Sequence, residues 1–179
     1  MARRAPQIRR EELDDEGRAV WDRIVGSRGG VRGPYQVLMQ VPTLADRIAH
    51  LGSYLRFEGV LPGADRELAI LVVGREMGAR YEWAHHEPIA RREGVRPEAI
   101  EAVLALGSLE ALTEREWLVV EVARGLLRHH AISDELFAAA RGAFGQKGLV
   151  ELVALVGYYS MIAVALVGFG VEPEGEPPF

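Results

Sequence analysis

The densest run of titratable side chains is ARYEWAHHEPIARREG, from Ala79 to Gly94. On a helix, Glu82 and His86 are four residues apart and share a face, and Glu82 and His85, three apart, are also neighbours. A carboxylate beside an imidazole fixes the ring's orientation and raises its basicity, which suits a general acid–base pair. Glu82 near the helix start also meets the positive end of the helix dipole, which favours its ionised form. Pro88 cannot donate to the carbonyl of Ala84, leaving an acceptor and a kink beside the two histidines. Glu67 is the other residue of interest. It stands one turn into RELAILVV, where a carboxylate is expensive to bury without a partner. Two readings are open for these residues: polar groups aimed into a site, or structural pairs, with Arg66 or Arg115 as the ion-pair partner of Glu67 and Glu82–His86 as a surface or interface pair.

Several chemistries fall away. The chain has no cysteine, so it has no disulfide, thiolate metal site, cysteine nucleophile or thiol–disulfide cycle of its own. Glu82-x-x-His85 matches the element of a di-iron bundle, but Leu126 and Leu127 stand three residues before His129 and His130, so the second such element is missing. Adjacent histidines on a helix point about 100° apart, which disfavours one ion bound by both His85 and His86. No HExxH, Walker loop, GxGxxG or GxSxG is present. No metal and no cofactor are expected.

The elements that must position these residues read as helices. Glu11–Ser27 carries Leu13, Val20, Trp21 and Ile24 and ends at Gly29-Gly30. A short segment from Tyr35 to Val41 comes next, and Pro42-Thr43 opens a helix running to Gly59. The helix after Pro62 has the continuous apolar run Leu68–Val73, as a central buried helix would, and stops at Gly78. Tyr81–Glu93 is the helix that carries the histidines, and Pro97 starts the next. Thr113 and Glu116 have capping-box spacing, and Ser133 caps a further helix before a long apolar one. ADRELAILVVGREM (64–77) lies on TEREWLVVEVARGL (113–126) without a gap, with Arg66/Arg115, Glu67/Glu116, Val73/Val122 and Arg75/Arg124 identical. That echo suggests a duplicated helical hairpin. No useful period-2 pattern appears, so the expected fold is an all-α bundle of seven or eight helices.

A length of 179 residues, 49% hydrophobic and 26% charged, fits one globular domain, placed at 1–170 with an acidic, proline-rich and mobile tail at 171–179. A net charge of −5 and few aromatics argue against a nucleic-acid partner. Arg3-Arg4 is followed by no apolar region, so a cytoplasmic location is expected. Leu152–Gly170 is 19 residues without a charge, about spanning length, but it has no basic flank. A buried central helix or an oligomer interface is the reading preferred over a membrane span.

RELAILVVGREMGARYEWAHHEPIARREGV resembles the carboxymuconolactone decarboxylase family, in the alkyl hydroperoxidase D-like superfamily. GPYQVLMQVPTLADRIAHLGSYLRFEGVLP is similar to that family's lead-in and ELVALVGYYSMIAVAL to its closing helix. The thiol-peroxidase branch carries a glutamate, a Cys-x-x-Cys and a histidine; these fall on Glu67, Ala79, Glu82 and His86. The resemblance therefore keeps the Glu and His frame and loses both thiols, so peroxidase activity does not carry over. It implies a homo-oligomer, a trimer or hexamer. It also implies a cofactor-free lyase acting on a small carboxylated lactone or ring acid, with His86 as proton donor and acceptor, Glu82 as its partner or second acid–base, and Glu67 as a polar relay. Arg75 or His85 would hold a substrate carboxylate. The alternative is a binding or scaffold protein that kept the fold and lost the chemistry.

Overall fold

A computed structural model describes residues 4, 6–175 and 179. Among the described residues there are eight α-helices and no strand: α1 (Asp15–Arg28), α2 (Pro34–Leu38), α3 (Pro42–Ser53), α4 (Gly63–Glu76), α5 (Arg80–Arg92), α6 (Pro97–Ala105), α7 (Glu114–Arg124) and α8 (Asp134–Gly168). The all-α expectation is met.

Local chemistry sets the boundaries. Asp14 caps α1 by accepting from the Gly17 amide at 2.8 Å, and Gly29, in the left-handed region at φ 72°, ends it. Proline occupies the first turn of α2, α3 and α6, where its missing N–H costs nothing. The expected capping box forms: Glu116 N donates to Thr113 Oγ1 at 3.3 Å, and Thr113 N to Glu116 Oε2 at 2.8 Å. α5 continues through Pro88. α8 is two helices in direct succession, broken at Gly145, whose φ of 70° and ψ of 169° no helix contains.

α4 is the hub. Leu68 to Val73 are all at most 1% exposed, and each such aliphatic side chain contributes about 1.5–3 kcal/mol by its burial. α4 packs against α5, α7 and α8 in the main core. The two echo segments stand side by side. Asp65 near the start of α4 pairs with Arg115 near the start of α7 (2.6 Å), and Glu76 at the end of α4 with Arg124 at the end of α7 (3.0 Å). The helices therefore run in the same direction. A second, smaller core joins α1, α2 and α3 through Val20, Ile24, Tyr35, Met39, Ala45 and Ala49. Leu38 touches both cores, and the Tyr35 and Tyr158 hydroxyls meet between them at 3.3 Å.

α3 gives way at Tyr54–Glu58 to a π-type turn, and the loop behind it is fixed by Glu151 of α8. Glu151 Oε2 accepts from the Val60 and Leu61 amides at 2.7 and 3.1 Å, and Oε1 from the Tyr54 hydroxyl at 3.0 Å. The tail is not wholly free, contrary to the sequence expectation. Phe179 packs edge-on against Trp83 (5.6 Å) with the Arg75 guanidinium 4.5 Å from its ring centre. Residues 176–178 of the tail lie outside the described residues.

Among the described residues, α8 is long and apolar enough to cross a membrane, and half of its apolar stretch is buried inside the chain. The uncovered half presents Val150, Val153, Met161 and Val164.

Gly52 of α3 is required by a close approach. A Cβ there would lie 2.2 Å from the Tyr158 hydroxyl, which donates to the Ile48 carbonyl at 3.1 Å. Gly52→Ala is expected to lower stability by about 1–3 kcal/mol by displacing that hydroxyl. A denaturant melt with no loss would show that Tyr158 moves aside without cost.

Candidate active site

Ala79 sits at the N-cap position of α5, so Glu82 falls in the first turn and His86 one turn later, both facing inward. Glu82 is 4% exposed, His86 2% and Glu67 0%. His86 Nδ1 lies 2.6 Å from Glu67 Oε2, and His86 Nε2 lies 3.0 Å from Glu82 Oε1. An imidazole with a carboxylate at each nitrogen satisfies both by carrying both protons. Burial opposes that charge, but the bonds to Glu67 and Glu82 outweigh it and hold the His86 pKa above its ordinary 6.5. Burial likewise opposes the Glu67 charge, and the His86 bond, reinforced by Arg66, holds its pKa below 4.5. Arg66 Nε donates to Glu67 Oε1 at 3.2 Å.

The echo explains why Glu67 is available for this. Glu116, its counterpart, is the third residue of α7 and folds back as a cap, where it also pairs with Arg96 at 2.9 Å. α4 starts two residues earlier relative to the echo, which carries Glu67 past the cap position and into the core.

The Glu82 and His86 side chains open onto a cavity of about 400 Å³ at the seam between the two cores. Tyr35, Tyr81, Tyr158 and Tyr159 form much of its wall. Tyr159 meets His86 edge-on at 5.2 Å, and burial beside Glu82 raises its hydroxyl pKa well above 10, so it stays neutral. His85 lies on the exposed part of the wall, 6.4 Å from the Tyr81 ring in a near-parallel stack. Partial desolvation and the neighbouring His86 charge depress its pKa below 6.5. The adjacent histidines are thus driven to opposite states, His86 charged and His85 neutral.

Arg75 is not at the cavity. Its Nε donates to the Leu104 carbonyl at 2.6 Å and its guanidinium covers Phe179, because the end of α4 faces α6 and the tail. The expectation that Arg75 holds a substrate carboxylate is corrected on that ground. His85 does reach the cavity, as a neutral hydrogen-bonding group and not a cation. The positive charge comes from residues that sequence reading missed: Arg28 at the end of α1, Arg32 in the loop after it and Arg56 on the π-type turn. None forms an ion pair among the described residues. Arg28 donates to the Ala49 carbonyl at 2.8 Å and lies 4.7 Å over the Tyr35 ring, while its buried Nε has no partner among the described residues. One signal was in the sequence: no acidic residue stands three or four positions from any of these arginines. Arg75 shares that property, so the signal does not separate them.

No group of three or more histidine or acidic side chains among the described residues is arranged to hold a metal ion. A buried imidazolium between two carboxylates, opening onto a cavity with unpaired arginines, can bind an anion and exchange a proton with it.

Residues 42–125 match the carboxymuconolactone decarboxylase family, a span that includes Glu67, Glu82, His86 and Arg56. The chain has no cysteine, and its fold is alkyl hydroperoxidase D-like. It is similar in structure to an uncharacterized peroxidase-related protein with an alkylhydroperoxidase AhpD core from Ralstonia eutropha JMP134, at a TM-score of 0.80 and 17% identity over 96% of this chain and 92% of that one. A second uncharacterized peroxidase-related protein, from Silicibacter sp. TM1040, gives 0.75 and 17% over 97% and 91%. Comparison with curated proteins gives no match. At the two positions where the sequence resemblance places a thiol pair, this chain has Ala79, 1% exposed, and Glu82.

Proposed function

We propose that this protein is a cofactor-free decarboxylase or related lyase acting on a small carboxylated lactone or ring acid. The observation that carries this reading is the buried Glu67–His86–Glu82 chain opening onto the arginine-lined cavity. An unsaturated lactone accepts the electron pair left when its C–CO₂ bond breaks, so the protein need only bind carboxylate, exclude water and return a proton to carbon. His86 holds that proton. Glu82, lining the cavity beside His86 Nε2, receives it and passes it to the carbon, and Glu67 keeps the imidazole oriented and basic. Neutral His85 and the Tyr159 hydroxyl offer hydrogen bonds to the ring oxygens.

A scaffold has no use for three ionisable groups held together at this burial, which favours the enzymatic reading over the non-catalytic alternative. The apolar outer face of α8 fits a second copy of the chain, so the working form is a homo-oligomer. Light scattering of wild type beside Val164→Glu reads that assembly, and a monomeric wild type removes it.

The test of function is turnover. Metal-free protein is mixed with carboxymuconolactone and the ultraviolet absorbance followed. Turnover reduced at least about a hundredfold in folded His86→Ala supports the proposal. No turnover from folded wild type removes this substrate and brings the scaffold reading forward.

A further inference from the structure

The π-type turn at Tyr54–Glu58 adds a residue to one turn of helix and rotates the chain beyond it away from an α-helical course. Arg56 and Phe57 lie on it, and both line the cavity. Arg56 is partly buried, with its guanidinium 5.0 Å over the Phe57 ring. Among the described residues it makes no hydrogen bond and no ion pair. Its charge nonetheless acts on the inner site, favouring ionised Glu67 and neutral His85.

A guanidinium offers five donors in a planar fork and keeps its charge at any working pH. Held partly out of water with no counter-charge in contact among the described residues, it carries a desolvation cost that a bound anion removes. Arg28 differs, because the Ala49 carbonyl and the Tyr35 ring already engage it. Arg32 is exposed. Arg32 and Arg56 both have their donors available among the described residues, but only Arg56 is held partly out of water, and its charge is the one that acts on Glu67 and His85.

We propose that Arg56 is the ligand-selecting residue of the cavity, gripping a carboxylate of a small ring acid through its guanidinium fork and thereby holding the reacting carbon beside Glu82 and His86. The inference rests on the acid–base reading of the site. It adds a constraint: a carboxylate gripped by arginine is stabilised as an anion, so it is the carboxylate that the product retains and not the one that leaves.

The test is binding, read without turnover. The probes are 5-oxotetrahydrofuran-2-carboxylate and its neutral methyl ester, titrated into the full chain and monitored by NMR. Wild type is expected to prefer the carboxylate by about tenfold to a hundredfold. Arg56→Gln is expected to reduce carboxylate affinity to that of the ester, leaving ester affinity and thermal midpoint unchanged, while Arg56→Lys restores part of the preference. Equal affinity for both probes in wild type overturns the proposal, as does failure of the carboxylate to bind. A preference that survives in Arg56→Gln and vanishes in Arg28→Gln also overturns it, with His86-dependent turnover left standing. A preference that depends on Arg56 in a protein with no turnover upholds the clamp and removes only the decarboxylase reading.

Discussion

Glu67→Ala is expected to lower the free energy of unfolding by about 3–5 kcal/mol, the range for removing one partner of a fully buried ion pair. The side chain is 0% exposed, and its loss leaves the His86 imidazolium with one carboxylate and Arg66 with only the exposed Glu93, 3.8 Å away. The effect depends on pH in a defined direction. His86 has a folded pKa above its ordinary 6.5, so its contribution is complete below 6.5 and is lost as pH rises through the folded value. Glu67 has a folded pKa below 4.5, so its contribution is complete above 4.5 and is lost as pH falls through the folded value. Both are present in full between 4.5 and 6.5. Denaturant melts should therefore show the largest penalty at about pH 5.5 and a smaller one at about pH 9. Glu67→Gln, which keeps the shape without the charge, should fall between. A penalty below about 1 kcal/mol, or one that is flat with pH, contradicts a charged Glu67–His86 pair.

Glu82→Gln is expected to cut kcat on carboxymuconolactone by about 10²- to 10⁴-fold, the usual contribution of a positioned proton-transfer group. Glu82 is the carboxylate that both lines the cavity and meets His86 Nε2, so glutamine preserves the volume and removes the proton carrier. KM should change little, because the proton moves only on the way to the transition state and the charge that binds substrate lies on the arginines. A fall of less than about tenfold in kcat assigns proton transfer to His86 directly and reduces Glu82 to an orienting role. Measured beside Glu67→Ala, the two variants separate a residue that acts on the reaction from one that also holds the interior together.

How much of the site was legible in the sequence depends on how local each signal is. The Glu82–His86 spacing needed only a helix over that segment, and the helix formed through Pro88. Glu67 was conspicuous because a carboxylate beside LAILVV has to find a partner, and its partners proved to be Arg66 and His86. Thr113 and Ser133 announced their caps by residue type alone. The arginines of the cavity were not legible. Arg28 and Arg32 come from a helix end and a loop whose direction depends on packing across the second core. Arg56 depends on a change of winding that no residue in YLRFE dictates. Arg75 was misplaced for a related reason. Its phase on α4 was readable, but the fact that α6 and Phe179 face that end is a tertiary outcome.

The ties that close the cavity also set an order of events during synthesis. Tyr158 bonds Ile48, 110 positions earlier, and meets Tyr35, 123 positions earlier, while Glu151 holds the amides of Val60 and Leu61, 91 and 90 positions earlier. Every one of these partners waits for the second half of α8. Such distant pairings form late, because the loop they close is long and nothing rewards closing it until the helix arrives. The segment bearing Arg56 thus leaves the ribosome well before the helix that fixes it, an interval of several seconds at about 5–20 residues per second. Through that interval the nascent chain holds α4 and α5, with their three buried ionisable groups, open to water. The cavity takes shape only when the last apolar helix docks, so the wall that carries Arg56 is the last part of the molecule to fold.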